Sequence, residues 1–167
     1  MRNTGSLSVP MPGDREIVMT RVFEAPRRLV FDAFTKPELL RRWFGPRGWS
    51  LETCTVDLRN GGGFLFVLRG PDAGKMSMRG VYREIVVPER SIHVESFDDY
   101  PGESLVTAEL AENEGTTTLT VRVLYPSQEV RDAVLRSGME RGATECYDKL
   151  AELLASILSK QVPLCAV

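Results

Sequence analysis

Histidine is nearly absent from this chain, with one residue, His93, in 167. Cysteine is scarce as well: Cys54, Cys146 and Cys165 stand far apart, with no CxxC spacing. Zinc sites and disulfide frameworks need clustered Cys and His, so neither fits, and no cofactor or metal site is expected. An excess of one charge is missing too: 21 Lys and Arg against 23 Asp and Glu leave a formal net charge of −2. A nucleic-acid or anionic-membrane partner would call for a basic surplus, so neither is expected. No run of about 18 apolar residues exists to span a bilayer. The opening MRNTGSLSVPMPGD lacks the apolar stretch of a signal peptide and reads as a flexible arm over 1–14. A soluble, reducing, cytoplasmic setting is the expectation. Cys165 sits third from the C-terminus, where prenylation requires the fourth position.

What is present begins with glycine. Asp57-Leu-Arg-Asn-Gly-Gly-Gly-Phe64 places three glycines between apolar runs. A phosphate-binding loop would lead into a helix whose N-terminal N–H groups face the anion, usually beside a Lys and a Ser or Thr. Here Phe64-Leu-Phe-Val-Leu-Arg-Gly70 follows, a strand-like run, and Asn60-Gly61 supplies the positive φ angles of a tight turn. The stretch therefore predicts a hairpin turn at Asn60–Gly63.

The length suits one domain, since a chain of this size buries roughly 70% of its unfolded surface. We place that domain at 15–160, with a short tail at 161–167. Arg15–Glu24 reads as a strand, and Ala25-Pro26 opens a helix carrying Leu29, Val30, Ala33 and Phe34. Lys36-Pro37 breaks it before a second helix with Leu39, Leu40 and Trp43, which Gly45-Pro46 stops. From Trp49 to Tyr125 six β-rich segments alternate with turn clusters, near 50–58, 63–70, 75–87, 90–97, 104–112 and 116–125. Beyond Pro126, Ser127 reads as an N-cap. From Gly138 the residues Met139, Gly142, Cys146, Leu150, Leu153, Leu154 and Ile157 recur at steps of three and four, predicting one long amphipathic helix to about Ser159. The expectation is an α+β fold: a curved, seven-stranded antiparallel sheet covered on its apolar face by that helix. Gly138 and Gly142 in its interior would each cost about 1 kcal/mol relative to Ala, so close packing or ligand space must compensate.

Candidate functional residues follow from strand alternation. Met76, Met78, Gly80 and Tyr82 share one face of their segment while Ser77, Arg79 and Arg83 share the other, so the first set is expected inward. Methionine adapts to irregular apolar ligands and the Tyr82 hydroxyl can orient one. Trp43, Phe64, Phe66, Met139 and Cys146 are the expected neighbours in a cavity, although the same residues would also serve a packed core. In Ser91-Ile-His-Val-Glu-Ser-Phe97, His93 shares a face with Glu95. Turned inward, the pair could do acid–base work, and His93 is carried as a candidate ligand contact. The two branched residues Ile92 and Val94 argue instead that they face inward and that His93 and Glu95 are solvated. Asp98-Asp99-Tyr100 has too few oxygen ligands for a metal site and reads as an ordinary charged loop. Cys146 reads as an inert buried thiol, and Arg59 as a surface charge. Arg21, beside the apolar Val22 and Phe23, suggests a buried pairing with a carboxylate such as Asp32 or Asp57.

Several ordered segments carry a family resemblance: Arg21-Val-Phe-Glu-Ala-Pro26 with Val30-Phe31-Asp-Ala33, Trp43-Phe-Gly-Pro46, Val56-Asp-Leu-Arg-Asn-Gly-Gly62, Gly80-Val-Tyr-Arg-Glu-Ile85, Pro88-Glu-Arg90 and Gly138-Met-Glu-Arg-Gly142. Over about residues 15–158 the chain resembles bacterial proteins similar to the activator of the heat-shock-protein-90 ATPase, a branch of the START/Bet v 1-like (SRPBCC) superfamily. The resemblance implies a helix-grip fold with an apolar cavity between sheet and C-terminal helix. Its members include lipid and sterol carriers, plant-hormone receptors, polyketide cyclases and ring-hydroxylase subunits, so fold alone does not assign function. The reading it favours is binding of a small apolar or amphipathic molecule without covalent chemistry. A cyclase- or hydrolase-like enzyme is the alternative, and a chaperone-interacting module ranks third because the additional domain of the eukaryotic activator is not part of the resemblance. A homodimer stays open. For the glycine loop, the expected outcome is that millimolar phosphate leaves the melting temperature unchanged in a thermal-shift assay; a clear rise would restore the phosphate-loop reading.

Overall fold

The computed structural model describes residues 7, 8 and 13–161. It is an α+β helix-grip fold. The strands are β1 (Glu16–Phe23), β2 (Ser50–Val56), β3 (Gly63–Arg69), β4 (Lys75–Val86), β5 (Arg90–Phe97), β6 (Ser104–Asn113) and β7 (Thr116–Leu124). The helices are α1 (Arg27–Thr35), α2 (Pro37–Trp43), α3 (Gln128–Arg136) and α4 (Met139–Gln161). All seven strands form one antiparallel sheet in the order β1-β7-β6-β5-β4-β3-β2. The meander is thus extended by β1 pairing with β7, from Glu16 opposite Leu124 to Phe23 opposite Thr117. Of the expected arm, Ser8 exchanges two backbone hydrogen bonds with Thr20. The expected tail beyond Gln161, Cys165 included, lies outside the described residues.

Local chemistry places each turn. Lys36 ends α1 and, with Pro37 at its first position, starts α2, so one X-Pro step makes the corner between two short helices. Between β6 and β7, Glu114 and Gly115 both take positive φ, at 50° and 78°, which is the backbone of a two-residue type I′ hairpin. The glycine stretch also turns the chain, and a strand, not a helix, follows it. The connection is longer than a tight two-residue turn because β2 ends at Val56. Its loop folds back on β4: the Gly61 N–H donates to the Tyr82 carbonyl at 2.7 Å, and the Tyr82 N–H donates to the Gly62 carbonyl at 2.8 Å. Asn60 Oδ1 accepts from the Ile85 N–H at 2.9 Å. These bonds hold β4 where its register against β5 shifts between Tyr82 and Glu84.

One expectation about the helix is corrected. The segment after Pro126 forms two helices. Ser127 caps α3, its Oγ accepting from the Val130 N–H at 3.2 Å, and the chain breaks at Ser137-Gly138 before α4. Gly138 has φ +83°, a left-handed conformation that ends a helix readily with glycine, so it costs α4 nothing as an interior residue. Gly142 is inside α4, and a Cβ there would meet Pro46 Cγ at 3.5 Å, an ordinary contact. Its small size therefore leaves space rather than relieving a clash.

The core lies between the concave sheet face and the helices. Ile17, Met19 and Phe23 point inward from β1, and so does Arg21, only 1% exposed. The expected carboxylate partners are wrong: Asp32 is held by Arg28 and Lys36, and Asp57 by Arg59. Arg21 Nη2 instead donates to Asp148 Oδ1 of α4 at 2.8 Å, and its guanidinium lies 5.7 Å from the Phe23 ring centroid. Helix geometry explains the difference, because Asp148 follows the buried Tyr147 and reaches over the edge of the apolar stripe toward β1. Tyr147, Leu150, Leu153 and Leu154 are buried against the sheet, whereas Met139, Ala143 and Cys146 are half-buried. Leu150 is wholly inaccessible. Leu150→Ala should therefore destabilise the protein by about 2–5 kcal/mol in chemical denaturation; a loss below about 0.5 kcal/mol would contradict this seating of α4.

Candidate functional site

Where the first half of α4 stands off the sheet, the structure encloses a cavity of about 580 Å³. Its floor is the inner face of β3, β4, β5, β6 and β7, its sides come from α1 and α2, and α3 and α4 roof it. Exposed residues of the β5–β6 loop, Pro101 and Gly102, and of the α3–α4 junction, Ser137 and Gly138, also border it and mark its mouth.

Aromatic residues build the wall in contact with one another. Phe44, Phe66 and Phe64 run in sequence, with ring centroids 5.0 and 5.1 Å apart, and Phe64 continues to Tyr82 at 5.3 Å. Gly80 makes this possible: a Cβ there would collide with the Phe64 ring and the Val94 carbonyl, so the ring lies across the bare β4 backbone. Trp43 is held by its indole N–H, which donates to the Ala33 carbonyl at 2.9 Å, and stacks on Tyr147 at 6.4 Å. Met76 and Met78 extend the apolar surface along β4, and Met139 and Cys146 close it from α4. The structure thus brings all nine residues singled out from the sequence to the wall of one cavity.

The predicted orientation of β5 is reversed. Tyr82 lies opposite His93, which lies opposite Val106, on the inner face. Val81, Val94 and Leu105 form the matching row outside, where Val81 and Leu105 are exposed. Branched apolar residues on β5 therefore fail as a guide to the buried face, because the convex face carries an apolar row of its own. His93 and Glu95 line the cavity, their side chains 16% and 13% exposed, with His93 Nε2 and Glu95 Oε2 2.9 Å apart. A carboxylate only accepts hydrogen bonds, so Nε2 carries the proton of this bond. Nδ1 on the opposite side of the ring is buried and has no hydrogen-bond partner among the described residues. Phe64 and the imidazole meet edge-to-face, their centroids 5.1 Å apart.

Three buried tyrosines share the cavity: Tyr82, Tyr125 and Tyr147. Burial pushes the Tyr82 hydroxyl up to about 12. Burial also raises Tyr125 and Tyr147 well above the usual range, and the negative charge of Glu95 adds to both shifts. All three remain protonated at neutral pH and act as neutral donors and acceptors. The thiols of Cys54 and Cys146 are likewise raised, by burial first, which leaves them poor nucleophiles. Among the described residues, Arg90 is the one Lys or Arg on the cavity wall, and it is bound to Glu84 at 2.9 Å. Asp98 of the charged loop pairs with Arg79 at 3.0 Å.

Sequence reasoning misses Tyr125 and Tyr147 as cavity residues, and places Glu95 with His93 on a face it expects to be solvated. Tyr125 is within its reach, two and four positions beyond the inward Val123 and Val121 of β7. Tyr147 also has a signal, lying three residues before Leu150 on the stripe, but Cys146 takes that place in the periodic pattern.

Known proteins share this fold. A Rhodobacter sphaeroides protein of solved structure is 32% identical, with a TM-score of 0.86 over 91% of this chain and 99% of its own. A Nitrosomonas europaea protein is 26% identical, with a TM-score of 0.80 over 89% of this chain and 99% of that one. A Mycobacterium smegmatis protein, at 24% identity and a TM-score of 0.81 over 91% of this chain and 99% of its own, shares the fold. A search of curated proteins finds no match. The family model described as Activator of Hsp90 ATPase homolog 1-like protein matches residues 24–155, and the chain belongs to that family.

Proposed function

We propose that the protein binds a small apolar or amphipathic molecule in the cavity between sheet and α4, without covalent chemistry of its own. The observation that carries this reading is the cavity itself. At about 580 Å³ it falls inside the roughly 300–1,000 Å³ range of small-molecule sites, and its wall is aromatic and aliphatic with a few convergent polar groups. A core that needed no ligand would close over such a space, because unfilled volume forfeits packing contacts. The nine residues from Trp43 to Cys146 on its wall are the proposed contacts, with Met76 and Met78 adapting to the ligand's shape.

A second reading rests on the His93–Glu95 pair. A hydrogen-bonded imidazole and carboxylate inside a cavity can move a proton, so a cyclase- or hydrolase-like enzyme would use them as its acid and base. The two readings part on the fate of the bound molecule. Native mass spectrometry of freshly purified protein should show a co-purified small molecule, recovered unchanged after prolonged incubation. Conversion to a product of different mass would favour the enzyme. The chaperone role in the family's name has no counterpart in the cavity and ranks below both.

Met78→Trp tests the occupancy directly. In open space the indole should cost stability less than about 1 kcal/mol while abolishing binding of an apolar naphthalene probe; in a filled interior the same volume would strain the fold by about 1–3 kcal/mol. Unfolding of the variant, or probe binding as tight as in the parent, would contradict the cavity as a binding site.

A further inference from the structure

We infer that the cavity selects an apolar molecule with a hydrogen-bond-donating end, a hydroxyl or an ammonium, and rejects carboxylate-ended amphiphiles such as fatty acids, through Glu95. This inference rests on the cavity reading above and names the ligand class for it. One oxygen of Glu95, Oε2, is tied to His93; the other, Oε1, makes no hydrogen bond among the described residues, and the side chain lines the cavity. The carboxylate can therefore accept from a ligand O–H or N–H, and it has nothing to give. Among the described residues no free Lys or Arg on the wall offsets it: Arg90 is already bound to Glu84, and the second acidic group on the wall, Asp99, lies in the loop at the mouth. A second carboxylate brought into this low-dielectric space would face the like charge of Glu95, whose one side-chain partner among the described residues is the His93 imidazole.

The Tyr125 hydroxyl does not rescue an anion. The charge of Glu95 reaches Tyr125 and Tyr147, and Arg21 opposes it at Tyr147, so an anion bound at the Tyr125 hydroxyl would lie in the field of Glu95. A ligand hydroxyl has the chemistry for both, able to donate to Glu95 and to accept from a tyrosine. An ammonium would add charge pairing with Glu95. The wall's aromatic rings suit the apolar body of either.

Four probes sharing one naphthalene body separate the outcomes: naphthalene, 1-naphthalenemethanol, 1-naphthylmethylamine and 1-naphthoate, each titrated by fluorescence into the full chain at neutral pH. The alcohol and the amine should bind about tenfold or more tighter than the naphthoate, the difference expected when a buried charge gains or lacks a hydrogen-bonding partner. In Glu95→Gln, whose side-chain oxygen can still accept from His93, the amine should lose that advantage and the naphthoate should gain. Equal affinities across the series, or tighter naphthoate, would overturn the inference and leave the cavity reading standing. Failure of all four probes to bind would overturn both. Should Glu95→Gln melt far below the parent, the order of affinities in the parent decides alone.

Discussion

The contact between α4 and the concave sheet governs the rest of the molecule, because the helix is fully buried along one half only. From Tyr147 onward, Leu150, Leu153 and Leu154 bury themselves against the sheet, and the Arg21–Asp148 pair bolts the same stretch to β1. Lys149 adds a tie on the other flank, donating to the Gly45 carbonyl at 3.0 Å. The half that follows the left-handed turn at Gly138 packs only in part against the core, and its small and half-buried residues border the cavity. A stable core and an open binding volume thus coexist under a single helix. The hydrophobic contribution is concentrated where Leu150 sits, which frees the opposite end from having to close.

Two polar devices are built into this apolar interior, and they differ in purpose. Arg21 and Asp148 cross from sheet to helix, and such a pair costs desolvation that its geometry must offset. It links one turn of α4 directly to β1. His93 and Glu95 instead lie on one strand, two residues apart, and their bond ties no separate elements together. A hydrogen-bonded imidazole and carboxylate that brace nothing point to a role toward the cavity they line. The loop from Asp57 to Gly62 serves the same wall from behind, since its bonds to Tyr82 and Ile85 steady the bulged strand that presents Tyr82, Met78 and Met76.

Much of this is legible in the sequence because it depends on short-range rules. Lys36-Pro37 has to end a helix, Asn60-Gly61 has to turn, and alternation along β4 puts the methionines and Tyr82 on one face. The helical stripe through Leu150, Leu153 and Ile157 announces its own buried side. What stays hidden depends on long-range geometry. His93 can be placed only by knowing that Val94 joins Val81 and Leu105 in an apolar row on the convex surface. The partner of Arg21 is 127 residues away in the chain. Gly138 reads as a costly interior glycine from sequence, since composition alone does not reveal a positive φ.

The central claim is that the space under the first half of α4 receives a ligand. Met19, Met76, Met78 and Met139 border that space from β1, β4 and α4, so their methyl groups report on it directly. Protein labelled with 13C at the methionine methyls, titrated with 1-naphthalenemethanol and followed by two-dimensional NMR, measures this most plainly. Saturable shifts of the Met76, Met78 and Met139 methyls, with intermolecular NOEs to the aromatic ring, are the expected result. Unmoved methyls at a saturating concentration of the probe, or NOEs confined to the outer row of Val81, Val94 and Leu105, would contradict the account.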